Sequence, residues 1–162
     1  MTTPFDALGV APDLVSALAE RGITSAFAIQ ELTIADALAG RDVCGKAKTG
    51  SGKTLAFGLP VLQTVKKAES RQPRALILVP TRELATQVCD ELAPIGEVRD
   101  VTVAAVYGGA DIDKQIKKLK AGVEVVAATP GRMIDLIERK EVDLVDVGVV
   151  VLDEADRMAD MG

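Results

Sequence analysis

Ala47-Lys48-Thr49-Gly50-Ser51-Gly52-Lys53-Thr54 (AKTGSGKT) follows the short apolar run Asp42-Val43-Cys44 and opens a helical pattern at Leu55-Ala56-Phe57. A phosphate-cradling loop needs this context. Gly50 and Gly52 let the backbone aim its N–H groups at one point, and a following helix adds its free N-terminal N–H groups and positive dipole end. Lys53 is then expected to reach β/γ phosphates and the Thr54 hydroxyl to sit on Mg²⁺. The usual pattern starts with Gly where Ala47 stands, and a small residue still fits there. The plain alternative is a Gly-rich turn between a strand and a helix.

Outward from this loop the chain alternates regularly. Apolar runs of strand length occupy Asp42–Gly45, Ala75–Val79, Val101–Val106, Glu124–Ala128 and Val147–Leu152. Helical spacing joins Leu84, Ala85, Val88 and Leu92 up to Pro94, then Ile112, Ile116 and Leu119 above a face of lysines, then Met133, Ile134 and Ile137. Strands without polar alternation, separated by amphipathic helices, predict a parallel sheet buried on both faces, hence a doubly wound α/β domain. Ligand sites in such domains lie at the carboxyl ends of the strands. Upstream, Asp13 is expected to cap a short helix through Leu14, Val15, Leu18 and Ala19, stopped by Gly22, and a second helix spans Ile29 to Leu38. Pro60 falls inside the helix after the phosphate loop, where a kink or a shifted start is expected.

Composition narrows the chemistry. With 162 residues the chain is one domain's length, and only 2% of it is aromatic, so the core must be aliphatic. Few aromatics also weaken any single-strand binder built on base-stacking platforms. The absence of His removes Ser-His and Cys-His nucleophiles and His-ligated metals. Cys44 and Cys89 lack metal or redox spacing and read as buried, inert thiols in a reducing cytoplasm. No segment reaches membrane-spanning length. The net charge of −5 argues against a general nucleic-acid binder, although Lys66–Arg74 is locally basic.

A second cluster, Val149-Val150-Val151-Leu152-Asp153-Glu154-Ala155-Asp156, delivers adjacent carboxylates at the end of a buried strand. The placement suits an Asp that holds hydrated Mg²⁺ and a Glu that orients and deprotonates water. In isolation, a helix start with acids in its first turn is the better explanation of the tetrapeptide. A phosphate loop earlier in the same α/β chain favours the functional reading.

Together these strings resemble the N-terminal RecA-like domain of DEAD-box RNA helicases over essentially the whole chain. AKTGSGKT matches that family's first motif and Asp153–Asp156 its namesake, with Pro80-Thr81-Arg82-Glu83-Leu84-Ala85, Gly108-Gly109 and Thr129-Pro130-Gly131-Arg132 between them in order. The resemblance implies a RecA-like P-loop NTPase fold, ATP and Mg²⁺ as cofactors, and RNA held by its backbone through the three intervening segments. It assigns residues 1–40 to an adenine-recognition region and 41–162 to the first helicase ATP-binding domain. In that region Gly22 through Gln30 reads GITSAFAIQ, and Phe5 lies seventeen residues before Gly22. By resemblance Gln30 meets the adenine edge and Phe5 packs on its ring. Ala26-Phe27-Ala28 departs from the family's Pro-hydroxyl-Pro, so Phe27 lacks the hydroxyl that normally touches the phosphate loop and is read as packing.

Thr81 and Thr129 each follow a strand and can simply cap helices, with Pro130 at the favoured first position. Helix N-termini and a Gly-Gly turn at one sheet edge nevertheless expose N–H groups, and Arg82 and Arg132 add charge suited to phosphates. Such contacts carry no base identity. The family's next strand, ending Ser-Ala-Thr, and its second RecA-like domain with arginine fingers have no counterpart in these residues. The resemblance therefore predicts a helicase fragment of marginal stability that does not unwind RNA alone. A non-catalytic nucleotide- or RNA-binding module and a DNA-directed P-loop helicase are the alternatives.

Overall fold

The computed structural model describes residues 3–47 and 51–160. Two compact units emerge, residues 1–64 with 94–100, and residues 65–93 with 101–162.

The first unit is helical. A 3-10 turn, Phe5–Leu8, precedes α1 (Pro12–Ala19), α2 (Ala28–Leu38) and α3 (Lys53–Thr64). Its core gathers Phe5, Leu14, Leu18, Ile34, Leu59 and Leu62, all essentially without solvent contact. α1 starts at Pro12 with Ala11 as N-cap, so Asp13 lies in the first turn and does not cap the helix. Its carboxylate instead meets Arg99 Nε at 3.0 Å. α3 begins at Lys53 and carries Pro60 within it, so the proline does not shift the start. Lacking an N–H, Pro60 leaves the Ala56 carbonyl without its usual helical donor.

Asp42–Gly45 forms no strand. Residues 41–47 have neither helix nor strand, and 41–46 are exposed. An extended segment becomes a strand only when a neighbour satisfies its N–H and C=O groups, and none of the described strands pairs with this one. Cys44 is consequently exposed, contrary to the buried thiol expected, while Cys89 is half-buried.

The second unit is a parallel sheet of β1 (Ala75–Leu78), β2 (Val103–Val106), β3 (Val125–Ala128) and β4 (Val149–Leu152), in the order β2-β3-β1-β4. α4 (Arg82–Gly96), α5 (Ile112–Ala121), α6 (Pro130–Glu138) and α7 (Ala155–Asp160) alternate with the strands, and the last turn of α4 is grouped with the first unit. α4 continues through Pro94, where the sequence pattern places its end.

Period two organises the core. Leu76, Leu78, Ala104, Val106, Val126 and Ala128 pack with Ile112, Ile116 and Leu119 of α5 and Met133 and Leu136 of α6. The alternate residues Ala75, Ile77, Val103, Val125 and Ala127 are buried too, so β1 and β3 are covered on both faces as a parallel sheet requires. α6 turns Met133 and Leu136 inward and leaves Ile134 and Ile137 exposed, a face different from the one expected.

β4 also departs from the expected two-sided burial. Among the described residues it pairs with β1 alone, and Val149, Val150 and Leu152 are exposed at 39%, 57% and 59%. No helix among the described residues is long and apolar enough to cross a membrane.

Candidate functional site

In the first unit, Gln30 is the organising side chain. It is 1% exposed. Its Oε1 accepts the Phe27 N–H at 2.8 Å, and its Nε2 donates to the Gly52 carbonyl at 2.9 Å. The first bond is half of a capping box at the start of α2; Phe27 has no side-chain acceptor to supply the other half. The second ties α2 to the loop that opens α3.

Gly52 has φ +82°, and a Cβ there would fall 2.3 Å from Gln30 Nε2 and 2.6 Å from the Phe27 ring. Only glycine fits. The Phe27 ring leans on Gly52 while remaining 59% exposed, so it is not the simply packed residue expected. Ala47 is half-buried irregular chain, and Ser51, Lys53 and Thr54 are half-buried at the start of α3. The first turn of α3 contains no acid, which suits a phosphate at a helix N-terminus. Thr49 and Gly50 lie outside the described residues. Gly22 is exposed just beyond α1, with open space around it.

Phe5 is buried at 1% exposure and serves the core, so a base resting on its ring requires that ring to be uncovered. The segment before it is tied to α2: Ala26 N–H donates to the Thr3 carbonyl at 2.9 Å, and Thr3 N–H donates to Glu31 Oε1 at 3.1 Å. Thr3, through its side chain and its backbone, holds the Glu31 carboxyl below its ordinary value.

In the second unit, four parallel strands end on one edge, with Leu78 level with Ala128 and Leu152, and Val106 level with Ala128. The segments that follow them hold every other candidate residue. After β1, Pro80 is buried, Thr81 Oγ1 accepts the Leu84 N–H at 3.2 Å as a helix cap, and Arg82 is exposed. Arg82 Nε stands 3.5 Å from Glu83 Oε1. After β2, Gly108 and Gly109 form an exposed turn; Gly109 has φ +81°, and a Cβ on it would meet Arg82 Nη1 at 3.3 Å. Arg82, Glu83, Thr86, Tyr107, Gly109 and Ala110 line a cleft of ≈ 510 Å³.

After β3, Thr129 is the N-cap of α6 without a side-chain cap bond, Pro130 takes the first helical position, and Gly131 is exposed. Arg132 is half-buried and donates to Gln115 Oε1 and the Ala110 carbonyl. After β4, Asp153 is buried with its N–H on the Leu78 carbonyl at 2.9 Å. Glu154 has φ +55°, an uncommon conformation for a non-glycine residue that clusters at functional sites. Its Oε2 accepts from Arg157 Nη1 at 2.8 Å.

The sequence reading passed over two residues, Gln115 and Arg157. Gln115 is 6% exposed. A signal for it existed: it interrupts the apolar stripe Ile112, Ile116, Leu119 at helical spacing. Arg157 carries none that distinguishes it from any other surface arginine.

Residues 27–162 match the family described as DEAD/DEAH box helicase. The chain is 48% identical over 158 residues to the DEAD-box ATP-dependent RNA helicase CshA of Streptococcus pneumoniae, covering 98% of this chain and 30% of that protein. It is 48% identical to the DEAD-box ATP-dependent RNA helicase 9 of Oryza sativa, covering 96% of this chain and 25% of that one. Among solved structures, the RNA helicase Prp28 of Chaetomium thermophilum bound to ADP superposes with a TM-score of 0.88 at 39% identity, over 96% of this chain and 39% of the other. The chain thus spans about 30% of the curated relatives it matches. With Ser51-Gly52-Lys53-Thr54 leading into α3, and with PTRELA, Gly-Gly, TPGR and Asp-Glu-Ala-Asp following successive strands on one edge, the chain belongs to the DEAD/DEAH box helicase family.

Proposed function

We propose that this chain is the ATP-binding and RNA-backbone-binding portion of a DEAD-box ATP-dependent RNA helicase. The observation that carries the reading is the shared edge of the sheet, where Arg82, Gly108-Gly109, Thr129–Arg132 and Asp153-Glu154 follow four parallel strands.

In this reading Lys53 meets the β/γ phosphates at the start of α3 and Gln30 meets the adenine edge. Phe5 lies beneath the base as core support. Thr54 and Asp153 are the residues that would hold Mg²⁺ accompanying the nucleotide. Glu154 takes the proton of the attacking water. Pro80, Thr81, Arg82, the glycine pair and Thr129–Gly131 face one RNA strand, and contacts to phosphate and sugar carry no sequence information. Duplex unwinding and the transition-state arginines are assigned to the longer protein, in which a second RecA-like domain faces this one. A cytoplasmic setting accords with two free cysteines.

Calorimetric titration with ATP and GTP tests the reading. ATP is expected to bind in preference to GTP, and Lys53→Ala to weaken it about tenfold or more, the scale of one charge-assisted hydrogen bond. An affinity indifferent to Lys53→Ala would mark a module that does not use ATP, and loss of adenine preference would remove the helicase assignment.

A further inference from the structure

We propose that Arg132 and Gln115 are a positioning pair that holds the Tyr107–Ala110 loop, and that the charge facing a phosphodiester in the adjoining cleft is that of Arg82. The proposal rests on the RNA-binding reading above, in which Arg82 already faces the strand, and replaces the phosphate contact that the sequence suggests for Arg132.

Arg132 has internal partners. Its Nη1 donates to Gln115 Oε1 at 3.0 Å and to the Ala110 carbonyl at 3.3 Å, and its Nη2 reaches the same carbonyl at 3.4 Å. Gln115 Nε2 in turn donates to the Tyr107 carbonyl at 3.0 Å. Thus both carbonyls flanking Gly108-Gly109 are bound to donors at the foot of the loop. The connection runs from α6 through a buried side chain of α5 to both ends of the glycine turn.

This arrangement matters for an anion. Carbonyl oxygens pointing into the cleft would repel phosphate, and a loop free to rotate would present them. The Arg132–Gln115 pair removes that option without entering the cleft, since neither residue is among its lining side chains. Arg82 does line it, beside Gly109, where any Cβ would crowd Arg82 Nη1. Among the described residues its ionic neighbour is Glu83, exposed and 3.5 Å away. Exposed pairs of this kind are weak and give way to a better anion.

The experiment is a salt series of fluorescence anisotropy with the full chain and a labelled single-stranded oligouridine. Each phosphate contact contributes about 0.7 to the slope of log K against log salt on a single strand. Arg82→Met should lower that slope by about 0.7. Arg132→Met and Gln115→Leu should weaken binding about tenfold while leaving the slope unchanged. Hydrogen exchange at residues 107–110 should quicken in both. Gln115→Glu, which keeps the acceptor for Arg132 and loses the donor to Tyr107, should fall between Gln115→Leu and the parent chain and guards against a folding artefact.

A slope loss for Arg132→Met matching that of Arg82→Met would overturn the proposal. Unchanged exchange at residues 107–110 in the Arg132 and Gln115 variants would overturn it as well. A parent chain that ignores oligouridine at every salt concentration would remove the RNA reading and the role of Arg82. The exchange data would then still decide whether the pair holds the loop.

Discussion

Gln30 Nε2 donates to the Gly52 carbonyl across twenty-two residues of sequence, at 2.9 Å. The same amide accepts from Phe27 N–H, so one buried side chain joins the start of α2 to the loop before α3. Phe27 offers no hydroxyl, and the link between the start of α2 and Gly52 runs through the glutamine itself. The amide keeps one further hydrogen and one further lone pair beyond these two bonds.

Gly52→Ala should break this connection. The new methyl group would lie 2.3 Å from Gln30 Nε2, at φ +82°. The backbone conformation costs about 1–2 kcal/mol for an L-residue, and overpacking typically adds about 1–3 kcal/mol. Urea unfolding should register the loss, and ATP titration should show weakened binding. Unchanged stability and affinity together would mean that the Gln30–Gly52 contact organises nothing.

Glu124 has a comparable role in the second unit. At 4% exposure its Oε1 accepts the Thr102 N–H at 2.8 Å and its Oε2 the Ala68 N–H at 3.0 Å. Its backbone carbonyl accepts from Arg74 and Ala75 as β1 begins. One residue thus holds the segment before β1, the start of β2 and the start of β3. Glu124→Ala removes the acceptor of two N–H groups on residues that are themselves exposed (Thr102) or half-buried (Ala68), so water offsets part of the usual cost of about 1–3 kcal/mol for an unmade bond. Chemical denaturation should show a loss of about 1–3 kcal/mol, with Glu124→Gln between Glu124→Ala and the parent chain because it keeps one acceptor. A loss below about 1 kcal/mol would mean that water replaces the carboxylate.

These two contacts mark where the sequence is legible and where it is not. β1, β3 and the helices around them are readable because strands covered on both faces are continuous apolar runs such as Ala75–Val79. PTRELA, Gly-Gly, TPGR and Asp-Glu-Ala-Asp are readable because each sits in the few residues after a strand, where composition cannot be explained by packing. Asp42–Gly45 has a strand's composition, yet a strand is a property of two neighbours, and no run of residues reports whether a neighbour is present. On α6, Met133, Ile134 and Ile137 share helical spacing with Leu136, and only the sheet's location selects Met133 and Leu136. Partnerships such as Gln30–Gly52, Glu124–Thr102 and Arg132–Gln115 span 17 to 22 residues and follow no local period. Arg132 illustrates the consequence: its charge suggests phosphate, while its bonds are internal.

The free side of β4 predicts self-association. Val149, Val150 and Leu152 combine exposed apolar side chains with a strand that, among the described residues, pairs with β1 alone, and the strand itself, Val149–Leu152, carries no charge or proline to block pairing. Val150→Lys should suppress association in concentration-dependent light scattering. At 57% exposure the substitution should change unfolding stability by no more than about 0.5 kcal/mol. Scattering that persists unchanged would place the sticky surface elsewhere, for example at Ile134, Ile137 and Val145, which are also exposed.

The two thiols should differ in reactivity. Cys44 is exposed. Cys89 is half-buried and its Sγ donates to the Val103 carbonyl at 3.3 Å. Burial, with a smaller contribution from the Asp90 charge, pushes its thiol above the ordinary value. The thiolate is the nucleophile, and the sign follows directly: the raised value keeps Cys89 protonated through the pH range in which an ordinary thiol ionises. With iodoacetamide at about pH 8, Cys44 should be alkylated at least about tenfold faster than Cys89. The Cys89 rate should keep climbing with pH beyond about pH 8.5, the ordinary thiol midpoint. Peptide mass spectrometry of a timed quench separates the two sites. Equal rates in the native chain would show that α4 opens readily from β2, whereas a large ratio that collapses in urea would assign the protection to the fold.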